Sequence, residues 1–222
     1  HEINNPLTII IGRTRQIELA IKEIHRDPDK TKTVIETSAS SLTKTAYRIS
    51  KIINTLKTLS QNGENEGAHK ISLIEVINDT LEFSSSRVSN LSIKLIINHI
   101  DDVFINGKSV ELSQVLLNLI NNSIDEIVDS EKPWISVSSE TDSDYTYLKI
   151  TDSGHGIPKH VQDKIFQPFF TTKNVNSGTG LGLSLCHSIV KAHAGDLYIN
   201  NSCENTQFII KLPLYTHSKK SA

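Results

Sequence analysis

The sequence predicts an α+β protein with two domains, a hairpin of two long helices followed by an α/β sandwich. Three observations support this prediction. Apolar residues recur at alternating steps of three and four in residues 1–60, a polar Gly/Asn/Glu stretch follows at 61–67, and the remainder contains β-branched segments between amphipathic helices. These segments are grouped as hairpins, which favours a sandwich over a doubly wound sheet.

The first domain is predicted at residues 1–61. One apolar seam with heptad spacing runs through residues 3–24, and a second runs at intervals of seven from Leu42 to Leu56. Pro28 separates the two helices, because the residue before a proline avoids helical geometry. Two such helices cannot enclose a core by themselves, so we predict a homodimer that forms a four-helix bundle. A hairpin that packs on the second domain of its own chain is the alternative.

Composition and charge exclude several classes of protein. With 37% hydrophobic and 22% charged residues, the chain is neither disordered nor embedded in a membrane. A net charge of −2 excludes a strongly basic nucleic-acid binder, so no nucleic acid is expected as partner. The sequence begins with histidine and contains no methionine, and we therefore expect a fragment of a longer protein.

The first residues contain a candidate nucleophile. The heptad register places His1 at a solvent-facing position, and Asn5 lies one turn further along the same helix face. Glu2 can accept a proton or hold the reactive tautomer of the imidazole, and Pro6 weakens the helix because it lacks an amide donor. By itself, however, a histidine at the first residue is most simply a frayed terminus.

A helix predicted at residues 109–129 carries three asparagines. Asn118 and Asn122 are one turn apart, so their amides line up. Asparagine has a low helix propensity, up to about 0.7 kcal/mol less favourable than alanine. Three asparagines in one helix therefore suggest a functional role. Amide oxygens suit Mg²⁺ that is also held by phosphates and water. Hydrogen bonding within the core is the alternative. The apolar face of this helix is predicted to consist of Leu112, Leu116, Leu119 and Ser123.

Three further segments suggest a nucleotide site. Asp152, Gly154 and Gly156 follow a predicted strand, where a carboxylate can accept a hydrogen bond from an amine such as adenine N6 and glycines admit a flat ligand. Lys173 follows an aromatic cluster at residues 166–170 and can meet phosphate. A glycine-rich turn then opens a helix, which makes an anion site of Gly178, Thr179, Gly180, Leu181 and Gly182. Neither the P-loop nor the Rossmann spacing is present.

Together, these segments resemble the catalytic core of a two-component sensor histidine kinase, over nearly the whole chain. Residues 1–7 resemble the H-box of a HisKA dimerisation and phosphotransfer domain. Segments similar to the N-box, G1 box, F-box and G2 box of the GHKL ATPase superfamily lie at residues 118–125, 152–156, 166–173 and 178–182. The resemblance implies a catalytic ATP-binding domain of the GHKL (Bergerat) fold at 70–216, after a linker at 62–69 and before a polar tail at 217–222.

The resemblance also implies a role for each residue. His1 would be phosphorylated by the γ-phosphate of ATP, Glu2 would act as base, and Asn5 would position water when the kinase works in reverse as a phosphatase. Asn122 would coordinate Mg²⁺, with Asn118 near the phosphates. Asp152 would recognise the adenine amine, and residues 157–177 would form a flexible lid. The other nucleotide-binding residues would be Gly154, Gly156, Lys173, Gly178, Thr179, Gly180, Leu181, Gly182 and Thr206.

ATP and Mg²⁺ are thus the implied cofactors, and a response-regulator receiver domain is the implied partner. An upstream sensor domain is expected outside this sequence. The fragment is expected to be cytoplasmic, and the sequence leaves open whether the parent protein is anchored to a membrane. Two rival classes are a GHKL ATPase that uses hydrolysis for conformational change and a non-catalytic dimeric scaffold.

One departure from the family pattern concerns the backbone. His193-Ala194-Gly195 replaces the commoner His-Gly-Gly of such proteins. Alanine is acceptable at this position unless the fold requires a positive φ there.

Overall fold

The computed structural model describes residues 4–23, 25–60, 68–173 and 179–215. The chain divides into two compact units: residues 1–61 with 172–179, and residues 62–171 with 180–222. None of the described helices combines the length and the apolar character that crossing a bilayer requires.

The first unit contains two helices, α1 (Asn4–Lys22) and α2 (Pro28–Ser60), which pack against one another. Asp27 caps the start of α2, since its Oδ1 accepts a hydrogen bond from the Lys30 amide at 3.0 Å. Pro28 is the first residue of α2, where its fixed φ suits the helix and its missing amide donor is not needed. The interruption predicted at this proline is therefore the start of the second helix.

The second unit contains three long helices, one short helix and seven strands among the described residues. In chain order its elements are β1 (His69–Ser72), α3 (Leu73–Asn90), β2 (Lys94–Ile97), β3 (Phe104–Gly107), α4 (Ser109–Ile127), β4 (Trp134–Thr141), β5 (Tyr145–Asp152), α5 (Lys159–Gln162), α6 (Gly182–Ala192), β6 (Asp196–Ile199) and β7 (Gln207–Pro213). The sequence pattern did not predict β1 or α5, each of four residues. β1 begins at His69, the last residue of the predicted linker.

The strands form two sheets. β1 and β3 pair antiparallel, and the other five form a mixed sheet in the order β2-β4-β5-β7-β6. Only β2 and β4 are parallel within this sheet, and the remaining neighbours are antiparallel. Helices α3, α4 and α6 contact the sheet, and α4 also contacts both α3 and α6. The predicted α/β sandwich is confirmed for this part of the chain.

The alternation of β5 explains where its last residue lies. Thr146, Leu148, Ile150 and Asp152 are buried, whereas the residues between them are half-buried. Successive side chains of a strand point to opposite faces, so Asp152 shares the core face with Leu148 and Ile150. The strand pattern therefore carries a carboxylate into the interior, at the end of a row of buried side chains.

Ala194 adopts a positive φ of 54°, directly after the C-terminal end of α6. The fold thus requires at this position the conformation that favours glycine. The next residue, Gly195, has no room for a side chain, because a Cβ there would lie 2.3 Å from the carbonyl oxygen of Lys211.

We expect Ala194→Gly to raise the free energy of unfolding by about 0.5–1 kcal/mol, because it relieves a left-handed alanine. Urea unfolding of the chain measures this change. As control, Ala192→Gly at the end of α6 is expected to lower the stability by up to about 1 kcal/mol. A loss of stability in Ala194→Gly would contradict the conformational argument.

Candidate functional site

Asp152 is the chemically distinctive residue of the second unit, because it carries a carboxylate and is only 2% exposed. The Gly154 amide donates to its Oδ1 at 2.9 Å. Burial raises the pKa of the Asp152 carboxyl. The nearby Ser123 hydroxyl, the Gly154 amide and the Thr206 hydroxyl act against this shift, whereas Glu126 adds to it. A carboxylate has about four acceptor positions, so Asp152 retains capacity for a donor on a bound molecule.

The Ser123 hydroxyl lies close enough to the Asp152 carboxylate to oppose the rise in its pKa, but no hydrogen bond of ordinary geometry joins the two groups. Its oxygen is the only buried side-chain nitrogen or oxygen without a hydrogen-bond partner among the residues that the structure describes. Leaving such a group unsatisfied costs about 1–3 kcal/mol. An orphaned hydroxyl beside a buried carboxylate therefore fits a site that a ligand or an ordered water completes. The sequence pattern missed this role, because it grouped Ser123 with the apolar face of its helix.

The loop after β5 lies close against Asp152. A Cβ on Gly154 would lie 2.8 Å from Asp152 Oδ1 and 3.0 Å from Thr206 Oγ1, so only glycine fits there. Gly156 has a φ of 78°. Thr206 is itself buried, and its carbonyl accepts the Asp152 amide at 3.0 Å. The structure thus brings together Asp152, Gly154, Gly156 and Thr206, as the predicted site requires.

One of the three asparagines on α4 has a structural partner. Asn121 accepts a hydrogen bond from Arg87 on α3. The same guanidinium donates to Asp125 Oδ1 at 2.9 Å. Arg87 thereby joins α3 to α4 on the side of the helix that carries Asn121 and Asp125. The alternative of a structural asparagine therefore applies to Asn121.

Asn118 and Asn122 lie on a different side of α4. Asn118 Oδ1 is 4.0 Å from the position that a Cβ on Gly182 would occupy, so it lies beside the first residue of α6. Asn122 follows one turn later and is half-buried. The residue before α6 is the buried Leu181, whose side chain does not cap the helix. The first amides of such a helix lack intrahelical acceptors and favour an anion.

The stem of the glycine-rich loop is held by one backbone contact. The Phe169 amide donates to the Gly180 carbonyl at 2.9 Å. Both residues are left-handed, with φ of 68° and 64°. A Cβ on Gly180 would lie 2.3 Å from the Phe169 carbonyl carbon, so glycine is required on steric grounds as well. This hydrogen bond joins the two ends of the segment 170–179.

Several predicted site residues belong to the other unit or lie outside the described residues. Lys173 and Thr179 belong to the first unit. His1, Glu2 and Gly178 lie outside the described residues, and Asn5 is described only as part of α1. Among the described residues, no group of three or more His, Cys, Asp or Glu side chains is placed to hold a metal ion. The roles of these residues and the metal site stay predictions.

Residues 107–216 match the family model described as histidine kinase-, DNA gyrase B-, and HSP90-like ATPase. The signal transduction histidine-protein kinase AtoS of Escherichia coli (strain K12) is 32% identical over 201 residues, which cover 90% of this chain and 31% of AtoS. Sporulation kinase A of Bacillus subtilis (strain 168) is 28% identical over 214 residues, which cover 96% of this chain and 33% of the relative. The chain thus spans about a third of the length of these relatives.

Solved structures agree with this match. The catalytic domain of histidine kinase ThkA superposes with a TM-score of 0.60 at 29% identity, over 67% of this chain and 98% of that one. The complex of ThkA with the response regulator protein TrrA gives a TM-score of 0.71 at 26% identity, over 97% of this chain and 59% of that one. The buried carboxylate, its glycine loop and the α4 asparagines therefore lie in the segment that matches the histidine kinase-, DNA gyrase B-, and HSP90-like ATPase family, in a chain that is similar to sensor histidine kinases.

Proposed function

We propose that this chain is the core of a sensor histidine kinase, which binds ATP in its second unit and transfers the γ-phosphoryl group to His1. The observation that carries this proposal is the buried Asp152 carboxylate beside an orphaned Ser123 hydroxyl, within a segment that matches the ATPase family. Such a site is built for a planar base with an exocyclic N–H donor.

At the adenine end, Asp152 accepts a hydrogen bond from the N6 amine. Its 2% exposure strengthens this bond, because little water competes for the carboxylate. Gly154 and Gly156 let the base approach the backbone, and Thr206 closes the far side of the loop. The Ser123 hydroxyl gains a partner, either the base or a water between them.

At the phosphate end, the start of α6 receives the anion. Gly182 is the first residue of this helix, and we propose that it contacts the phosphates together with Lys173, Gly178, Thr179, Gly180 and Leu181. The amide oxygen of Asn122 would hold Mg²⁺ together with phosphate oxygens and water, and Asn118 would lie near the phosphates. When bound, Mg²⁺ neutralises the charge that develops on the phosphates during transfer.

In the transfer itself, an imidazole nitrogen of His1 forms a bond to the γ-phosphorus while the bond to the bridging oxygen of ADP breaks. Glu2 accepts the proton that the imidazole gives up. The phosphoryl group then passes to an aspartate of a response-regulator receiver domain. In the reverse, phosphatase direction, Asn5 positions the attacking water. The protein contributes mainly positioning and electrostatic stabilisation, as phosphoryl transfer requires.

We further propose that the first unit pairs with a second copy into a four-helix bundle. Leu7 and Ile21, on the predicted seam of α1, are 43% and 52% exposed in the single chain. Ile11, one turn after Leu7 on the same side of the helix, is exposed as well. A second hairpin would cover such an apolar face.

Incubation with γ-labelled ATP and Mg²⁺ tests the function. We expect label on the protein that is labile in acid and stable in base, as a phosphohistidine is. His1→Gln should abolish this label and leave the affinity for ATP within about twofold in calorimetry, because the imidazole does not contact the base. His25→Gln, at an exposed histidine of the same unit, is the matched control and should keep the label.

Other outcomes identify the rival classes. Release of phosphate without labelled protein would indicate an ATPase that uses hydrolysis for conformational change. Neither label nor phosphate would indicate a non-catalytic scaffold. Label that persists in His1→Gln would refute the assignment of the acceptor.

A further inference from the structure

We infer that Asn205 is a positioning residue for adenine recognition, which holds Gly154 and through it orients the Asp152 carboxylate. This inference rests on the proposed function of the site and adds a residue to it. Asn205 lies in the turn between β6 and β7, and neither its type nor its spacing marked it in the sequence.

The contact is direct. Asn205 Nδ2 donates to the Gly154 carbonyl oxygen at 3.1 Å. The Thr206 amide donates to the same oxygen at 3.3 Å. A carbonyl oxygen has two lone pairs, so these two donors satisfy it fully. Asn205 is half-buried, which partly shields its bond from competing water.

Gly154 needs such restraint. Glycine populates more backbone conformations than any other residue. The amide of Gly154 donates to Asp152 Oδ1 at 2.9 Å, and its carbonyl accepts from Asn205 and Thr206. The residue is thus held at both ends, and a displacement of Gly154 would also move the amide that orients the carboxylate. Asn205 acts on Asp152 by limiting this displacement.

The turn that carries Asn205 is itself anchored. Asn200 Nδ2 donates to Gln207 Oε1 at 2.7 Å, and Gln207 Nε2 donates to Thr151 Oγ1 at 2.8 Å. The Ser202 amide donates to Asn200 Oδ1 at 3.0 Å. These bonds connect the turn to the end of β5, one residue before Asp152. Asn205 therefore contacts Gly154 from a turn that is hydrogen-bonded to β5, the strand that also carries Asp152.

The variant Asn205→Asp tests this role, because it keeps the shape of the side chain and removes its donor. We measure the affinity of the full chain for ATP and for purine riboside triphosphate, which lacks the exocyclic amine that Asp152 recognises. Asn205→Asp is expected to weaken ATP binding by about fivefold to tenfold and to change purine riboside triphosphate binding by less than about twofold. A merely structural role would weaken both nucleotides equally.

Two further variants control for charge and for folding. Asn201→Asp introduces the same charge at an exposed residue of the same turn and is expected to keep the ratio of the two affinities. Asn205→Ala removes the donor without adding a charge and is expected to show the same selective loss as Asn205→Asp. Equal losses for both nucleotides in Asn205→Ala, or no loss for either, would overturn the inference.

Asp152→Asn separates this inference from the proposed function. If Asp152→Asn leaves the preference for ATP unchanged, the proposed adenine site is wrong. If Asp152→Asn removes the preference and both Asn205 variants retain it, the site stands and only the role of Asn205 is refuted.

Discussion

Asp152→Asn is expected to stabilise the second unit while it removes most of the affinity for ATP. Burial raises the pKa of the Asp152 carboxyl above its ordinary value of 3.8 in the folded chain. The folded state therefore holds this proton more tightly than the unfolded state does. The resulting stability is complete below the ordinary pKa and is lost as the pH rises through the folded-state pKa. A neutral asparagine does not suffer this loss.

Thermal unfolding across pH measures this effect. The melting temperature of Asp152→Asn should exceed that of the parent chain at neutral pH, and the gain should shrink as the pH falls towards 3.8. A constant difference across pH would show that packing, and not ionisation, causes it.

The same substitution should weaken ATP binding by roughly tenfold to more than a hundredfold. It removes a hydrogen bond to a charged acceptor, which contributes about 1.5–3 kcal/mol, and its amide presents a donor where the adenine amine also donates. Calorimetry with ATP measures the loss. Unchanged ATP affinity would contradict the assignment of Asp152 to the adenine.

Asp142→Asn is a control for which we expect the opposite change in melting temperature. Hydrogen bonds from the Asp144 amide, the Tyr147 hydroxyl and the Tyr145 amide lower the pKa of the Asp142 carboxyl. Its stabilising contribution is thus present above the ordinary pKa and is lost as the pH falls. Asp142→Asn should lower the melting temperature at neutral pH and leave ATP affinity unchanged.

Gly180→Ala is expected to cost about 2 kcal/mol or more of stability. The new Cβ would lie 2.3 Å from the Phe169 carbonyl carbon, in a residue whose φ is 64°. Both the contact and the left-handed conformation oppose alanine. To relieve this clash, the Phe169 amide and the Gly180 carbonyl must separate, and their separation opens the stem of the glycine-rich loop. Urea unfolding and ATP calorimetry should therefore both show a loss.

Gly182→Ala is the matched variant two residues later. The nearest atom to its new Cβ is Asn118 Oδ1 at 4.0 Å, so the fold has room for it. Alanine also suits a helix better than glycine does, so stability should be unchanged or higher by up to about 1 kcal/mol. A loss of ATP affinity in this stable variant would report a phosphate contact. Equal destabilisation by both alanines would refute the steric distinction between the two glycines.

Local periodicity and local chemistry determined much of this protein from the sequence. The alternation of β5 and the apolar face of α4 follow from side-chain geometry within one element, and Pro28 acts on its own neighbours. The nucleotide motifs were recognisable because each one is a short run of residue types. The short elements β1 and α5 were missed, since β1 begins in the stretch assigned to the linker and α5 lies among the residues assigned to the lid.

The tertiary structure alone decided which polar groups meet. Asn205 and Gly154 are 51 residues apart, and Arg87 and Asn121 are 34 apart, so no sequence spacing announces their hydrogen bonds. The orphaned hydroxyl of Ser123 and the positive φ of Ala194 likewise depend on what packs around them. The reason is that periodicity states which face a residue occupies, whereas hydrogen bonding depends on the atoms that the fold brings opposite that face.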